Sequence, residues 1–188
     1  MFKRLVCFLT ILLVGTVAYS QEHQNLLETP EGWRGELLTF PLSFAPSIDL
    51  TGIEDIRFAP GWSKPGSEDF WTYTFVWYID KKHVMSEDFL SETMNIYFDG
   101  LMGVVAKDSG SIEKTEATFI KNGDSFKGLI KAYDAFFTKE VITLHVKVKE
   151  ALCAEENKQM VTFQLSPKPY DDAIWDLFKE VRLKKLCP

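Results

Sequence analysis

Few residues of this sequence have the types and spacing of a catalytic or metal-binding site. The three histidines, His23, His83 and His145, are far apart in the chain, and none has a second ligand at the i, i+4 spacing of a zinc-binding helix. The sequence contains no HExxH, no G-x-S-x-G nucleophile elbow and no phosphate-binding glycine loop. It therefore predicts no metal site and no cofactor, and it favours solvated histidines.

Adjacent carboxylates are the other possible source of chemistry. They occur as the pairs Glu54-Asp55, Glu68-Asp69, Glu87-Asp88 and Asp171-Asp172. The last two pairs stand at predicted helix starts, where capping and the helix dipole explain them. Neighbours in a strand point to opposite faces, so the first pair is not expected to share a proton. One alternative stays open, a hydrolase-type enzyme whose residues would converge in a cleft: Arg57, Glu68, Asp69 and His83.

Aromatic residues are more informative than ionisable ones. All five tryptophans lie beyond residue 20, and Trp62 stands in the Pro- and Gly-containing loop GWSKPGSED. Rings in such places either fill the core or offer a surface to a ligand. On the second interpretation the chain is a non-catalytic module that binds a small molecule, a glycan or a protein partner. The candidate ligand-binding residues are Arg57, Trp62, Lys64, Trp71, Tyr73 and Trp77.

The first twenty residues have the pattern of an export signal. Lys3 and Arg4 precede an apolar run from Leu5 to Val17, and small residues flank Tyr19 before Gln21. The apolar run would rise only about 20 Å as a helix, which is short of a bilayer core of about 30 Å. We therefore expect residues 1–20 to be a signal peptide and residues 21–188 to form one exported domain, periplasmic or extracellular.

The charge balance argues against two classes of partner. The formal net charge is −6, and loss of Lys3 and Arg4 would leave 19 basic residues against 27 acidic ones, or −8. Binding to nucleic acid requires clustered positive charge, and the net acidic composition of this chain does not favour it. No later segment reaches spanning length, so we expect no nucleic-acid partner and no membrane insertion after signal cleavage.

Two cysteines remain after the predicted signal peptide, Cys153 and Cys187. In an oxidising compartment a pair of this kind is most simply a disulfide, which would contribute about 4 kcal/mol on the chain-entropy model. A metal pair and a catalytic thiol are the alternatives, and no further ligand cluster accompanies either cysteine. The expected disulfide would fasten the end of the chain to a strand.

Apolar periodicity predicts the order of the elements. Ser86 is a suitable N-cap for a helix, and Asn122-Gly123 between apolar runs predicts a hairpin. Residues 21–32 are polar and predict a frayed start. Strands are expected at 36–44, 54–59, 70–80, 117–121, 125–136, 141–150 and 159–166, and helices at 87–105 and 171–186.

This order predicts an α+β fold, a mostly antiparallel sheet of about six to seven strands covered by two helices in a single domain. The tripeptide Phe-Ala-Pro occurs twice, at 44–46 and 58–60. Because proline cannot continue a strand ladder, both copies are interpreted as strand ends.

Two stretches resemble known families. The segment FQLSPKPYDDAIWDLFKEV after a meander resembles the C-terminal half of the PsbP-like photosystem extrinsic proteins in the order of its elements. The strings FPLSFAP, EDIRFAPGW and FWTYTFVWYI resemble an uncharacterised family of small exported bacterial proteins. The second resemblance implies export, and neither implies an activity or a site residue.

Overall fold

The computed structural model describes residues 25–106 and 112–184. In these ranges seven strands form one antiparallel sheet in the order β2-β3-β4-β8-β7-β6-β5, and β1 pairs with β9 in a separate two-stranded sheet. The elements in chain order are β1 (Leu27–Glu28), β2 (Arg34–Thr39), β3 (Gly52–Phe58), β4 (Tyr73–Asp80), α1 (Glu87–Val105), β5 (Glu116–Asn122), β6 (Ser125–Tyr133), β7 (Val141–Cys153), β8 (Lys158–Ser166) and β9 (Arg182–Leu183). Short 3₁₀ helices lie at Ala154–Glu156 and Ala173–Lys179. The prediction of an α+β fold with a mostly antiparallel sheet is confirmed.

Helix α1 covers one face of the sheet, which we call the inner face. It has the predicted bounds, and the Ser86 hydroxyl accepts a hydrogen bond from the Phe89 N–H at its start. The Tyr97 ring stacks on Phe75 of β4 with 5.8 Å between centroids. Gly100 allows the helix to touch the preceding loop, because a Cβ there would lie 2.0 Å from the Phe44 carbonyl oxygen.

The opposite face, which we call the outer face, is also covered. The alternation of apolar residues in β3 predicts that Asp55 and Arg57 face solvent; both do point to the outer face, but Asp55 is fully buried and Arg57 is 7% exposed, so the predicted exposure is wrong. The reason is that the Leu26 and Leu27 N–H groups donate to Asp55 Oδ2 at 2.6 and 3.1 Å. The predicted frayed start is therefore wrong from Leu26 to Glu28, where the chain is held against the sheet.

The last predicted helix is wrong in type and extent. Asp172 caps a 3₁₀ helix that ends at Lys179, and the chain then forms β9. Pairing of β9 with β1 draws these residues out of a helix, and the Lys184 N–H donates to the Leu26 carbonyl at 2.9 Å. Tyr170 and Trp175 nevertheless lie in contact, with 5.6 Å between ring centroids.

Three strands, β2, β4 and β6, are shorter than predicted, and β6 ends at Tyr133. β2 ends at Thr39, just before a cis Phe40–Pro41 peptide bond, so the first Phe-Ala-Pro lies in a loop and its interpretation as a strand end is wrong. The second copy fits the prediction, because Phe58 is the last residue of β3. β4 begins at Tyr73 because Trp71 has a φ of 54°, a left-handed conformation that breaks the strand.

Several predictions fall partly outside the described residues. The proposed signal peptide lies wholly there, and so does Cys187. Cys153 is buried beside Met160 at the end of β7. The Cys153–Cys187 disulfide therefore stays a prediction. Within the described ranges, no helix combines the length and the apolar character needed to traverse a bilayer.

Candidate functional site: an aromatic cavity on the inner face

The loop between β3 and β4 fixes the position of Trp62. Asp69 Oδ2 accepts the Gly61 N–H at 2.7 Å, and a Cβ on Gly61 would lie 1.9 Å from the other Asp69 oxygen. The Trp71 N–H donates to the Trp62 carbonyl at 3.1 Å and closes the loop. The two indoles consequently pack edge to face, 5.5 Å between ring centroids.

A second loop, between β6 and β7, brings two phenylalanines to the same place. The Asp134 carboxylate accepts the N–H groups of Phe136, Phe137 and Thr138 at 2.9 to 3.0 Å. Burial pushes the pKa of Asp134 up, but these hydrogen bonds outweigh it, and the net pKa lies below its usual value. The loop presents Phe136 and Phe137 to Trp62 at centroid distances of 6.1 and 5.1 Å.

Together these loops, the inner face and the C-terminal half of α1 enclose a cavity of about 310 Å³, which we call the aromatic cavity. Of the described residues, thirteen line this cavity; seven of these are aromatic, and the only carboxylate among the thirteen is that of Glu36. The lining residues are Glu36, Leu38, Ser43, Phe44, Ile56, Phe58, Trp62, Trp71, Tyr73, Tyr97, Leu101, Val105 and Phe136. A volume of this size can hold a small organic molecule.

A buried carboxylate lies next to the cavity. Glu54 of β3 is fully buried and accepts hydrogen bonds from Trp77 Nε1 and from the Tyr97 hydroxyl, both at 2.7 Å. Burial raises the pKa of Glu54 to about 7, the two hydrogen bonds oppose the rise, and the Glu36 charge adds to it. Burial and the nearby Glu54 charge also raise the pKa of Tyr73 and of Tyr97.

The cavity wall contains an unused hydrogen-bond donor. Two wall indoles, those of Trp71 and Trp62, have a buried Nε1 without a hydrogen bond among residues 25–106 and 112–184. The Trp71 indole lies near the Asp134 carboxylate and lowers its pKa, which leaves Trp62 Nε1 as the unused donor. A buried N–H without an acceptor costs about 1 to 3 kcal/mol, and native proteins rarely tolerate such groups without a reason. A molecule in the cavity that offers an oxygen acceptor would satisfy this donor.

The structure brings together only part of the predicted ligand site. Trp62, Trp71 and Tyr73 line the aromatic cavity, and Trp77 lies beyond it against Glu54. Arg57 points to the outer face, where it forms an ion pair with Asp55. Lys64 is exposed in the β3–β4 loop and does not line the cavity.

The residues of the enzymatic alternative have separate surroundings. Glu68 and Asp69 line a cleft of about 570 Å³ with Lys168 and Asp172, and the lining includes neither Arg57 nor His83. His83 stacks on Phe89, and its Nε2 lies 3.0 Å from the Asp49 carbonyl oxygen. No group of three metal-ligating side chains occurs in the part of the chain that the structure describes.

Comparison with known proteins yields no relative. No family model, no curated protein and no solved structure matches this chain. The resemblances to PsbP-like proteins and to small exported bacterial proteins therefore stay expectations, and the function has to be argued from the cavity itself.

Sequence reasoning missed several residues of the cavity. The sequence pattern explains Glu36 as a polar residue that alternates with apolar ones in its strand. It explains Tyr97 as part of the buried stripe of α1 and Phe136 as the end of a strand, so none of the three indicates a cavity. The sequence YDAFFTKE carried a usable signal, since an aspartate between two strands is typical of a turn whose following backbone N–H groups it accepts, and the two phenylalanines fall in that turn.

Proposed function

We propose that this chain is an exported, non-catalytic binding protein whose aromatic cavity holds a small, largely apolar molecule. The observation that carries the proposal is the cavity of about 310 Å³ with the unpartnered Trp62 indole N–H in its wall. An apolar pocket with a few polar groups is the usual form of a small-molecule site. Export is proposed because the sequence begins with a short positively charged segment followed by an apolar run, the pattern of a signal peptide.

The burial of the aromatic strand favours a small molecule over a glycan or a protein. A stacking platform for sugar rings needs exposed ring faces, yet Trp71 is 1% exposed and Trp77 is fully buried. These rings are reached only from inside the molecule, and of the two only Trp71 lines the cavity. A compact ligand that enters the cavity can contact such rings, whereas a polymer on the surface cannot.

The catalytic alternative gains no support from the positions of its residues. Asp69 holds its own loop together by accepting the Gly61 N–H, and Arg57 is engaged by Asp55 on the other face of the sheet. These contacts explain both residues as parts of the scaffold. We therefore propose binding without chemistry.

The proposal can be tested by a fragment screen of the purified protein, read by ligand-observed NMR. We expect compact aromatic and aliphatic fragments to bind, and we expect Trp62→Leu to weaken them by about tenfold because it removes most of one wall. Trp33→Leu is the matched control, since Trp33 packs beside Phe178 in a separate cluster. Absence of hits, or equal losses in both variants, would contradict the proposal.

A further inference from the structure

The charge around the aromatic cavity has one sign. Among the described residues of its lining, Glu36 is the only charged one, and none is a lysine, an arginine or a histidine. Glu36 is exposed and forms no salt bridge with any residue of the two described ranges. Glu54 lies directly behind Tyr97 of the cavity wall. An anionic ligand would therefore meet the Glu36 carboxylate, with no compensating cation among the described lining residues.

The rings of the cavity face in several directions. Trp62 meets Trp71, Tyr73 and Phe136 at centroid distances of 5.5, 6.4 and 6.1 Å, with interplanar angles of 66°, 73° and 65°. Rings that stand nearly perpendicular to one another form a box rather than a stack. A group inside such a box can contact more than one ring face, and the negative π faces attract positive charge.

From this arrangement we infer that the ligand of the aromatic cavity is an organic cation of the alkylammonium class that also carries an oxygen acceptor. The alkyl groups fill the apolar box, the positive charge meets the π faces and Glu36, and the oxygen accepts the Trp62 indole N–H. This inference rests on the proposed function and names the class of ligand for the same site.

An inorganic cation does not fit the same cavity. Calcium needs six to eight oxygen ligands and magnesium needs near-octahedral oxygen coordination. The described lining residues offer one carboxylate, one serine hydroxyl and two tyrosine hydroxyls, and the Tyr97 hydroxyl is already bonded to Glu54. A weakly hydrated organic cation loses little by leaving water, so the aromatic walls suit it better.

Calorimetry with choline and its uncharged carbon analogue, in which a tert-butyl group replaces the trimethylammonium group, separates charge from shape. We expect choline to bind at least about tenfold more tightly, as cation–π attraction in a desolvated site predicts. Equal affinities, or tighter binding of the uncharged analogue, would overturn the cation inference and leave the proposed function standing. If neither choline nor its uncharged analogue binds while other fragments do, the cation inference is also overturned. If no fragment binds either, both the cation inference and the proposed function are overturned.

Two variants locate the effect. Phe136→Leu keeps an apolar wall but removes a π face, so it should weaken choline by about fivefold and the uncharged analogue by much less. Glu36→Gln should weaken choline by about threefold, and less at about 1 M salt, because it removes the charge at the cavity. Glu92→Gln is the matched control, an equal charge change on the exposed side of α1. Equal effects of Glu36→Gln and Glu92→Gln, or equal losses of both probes in Phe136→Leu, would contradict the inference.

Discussion

Two neighbouring carboxylates, Glu54 and Asp55, lie on opposite faces of β3 and have opposite surroundings. Asp55 accepts two backbone N–H groups from the N-terminal segment and pairs with Arg57. Glu54 accepts hydrogen bonds from Trp77 and Tyr97, and no cation is paired with it in the described part of the chain. Both are fully buried, so the difference lies in their partners.

The difference separates a face that holds the molecule together from a face on which we propose that a ligand binds. On the outer face, charge is compensated and its partners anchor the first and last strands. On the inner face, negative charge is left beside a cavity of aromatic rings. A buried carboxylate without a cation costs stability when it ionises, and a positively charged ligand nearby would offset that cost.

The largest expected effect comes from the outer face. Asp55→Ala should lower the free energy of unfolding by about 3 to 5 kcal/mol, because it leaves the buried Arg57 charge without a counter-ion and two backbone N–H groups without an acceptor. Urea unfolding at neutral pH measures this change. Asp176→Ala is the control, since Asp176 pairs only with Lys179 at the surface and its removal should leave the midpoint unchanged. Equal midpoints for the two variants would mean that Asp55 does not anchor the N-terminal segment.

Glu54, the carboxylate on the inner face, should make the stability of the fold depend on pH. Because the pKa of Glu54 in the folded protein is about 7 against an ordinary value of 4.5, the folded state binds a proton more tightly than the unfolded state between these pH values. Stability should therefore fall as pH rises from about 4.5 to 7, by about 3 kcal/mol in total. Glu54→Gln keeps an acceptor for Trp77 and should remove this slope.

Unfolding midpoints at a series of pH values test this prediction, with Glu36→Gln as the comparison. Glu36 adds only a part of the shift of Glu54, so its variant should keep most of the slope. A wild-type slope that survives in Glu54→Gln would assign the pH dependence to another group and would contradict the uncompensated charge on the inner face.

A smaller effect of opposite pH dependence is expected at Asp134. Asp134→Asn removes one of the two oxygens that accept hydrogen bonds in the loop carrying Phe136. This loss should lower the free energy of unfolding by about 1 to 2 kcal/mol at neutral pH. The pKa of Asp134 is lowered from 3.8, so its contribution is present above that pH and is lost as pH falls through the lower folded value. The gap between Asp134→Asn and wild type should therefore shrink in acid, as thermal unfolding at neutral pH and near pH 3 would show. A gap that is constant with pH would contradict the role of the ionised carboxylate.

The sequence predicted the regular elements well because their signals are local. Ser86 and the helical spacing of Leu90, Met94 and Tyr97 placed α1 correctly, and Asn122-Gly123 placed the β5–β6 hairpin. Alternation of apolar residues found the meander. These signals depend on residues a few positions apart, so no knowledge of the tertiary structure is needed to interpret them.

The missed features depend on partners that are distant in the sequence. The N-terminal segment is ordered by Asp55, 28 to 29 residues away, and the last helix gives way to β9 because β1 lies beside it. The cavity has the same character. Trp62 and Trp71 are candidate ligand-binding residues from the sequence alone, because they are aromatic and lie in or beside a loop. Glu36 and Phe136 line the cavity with them only because the folded sheet and its loops bring these distant segments together.

The central claim, that the aromatic cavity binds a small organic cation, is tested most directly by the indole N–H resonances of the protein during a titration with choline. Variants Trp62→Phe and Trp175→Phe assign two of these signals, and Trp175 Nε1 is already bonded to the Pro169 carbonyl at 2.8 Å. We predict that the Trp62 signal moves downfield and saturates while the Trp175 signal stays in place. A Trp62 signal that does not move, or that moves in parallel with that of Trp175, would contradict the claim.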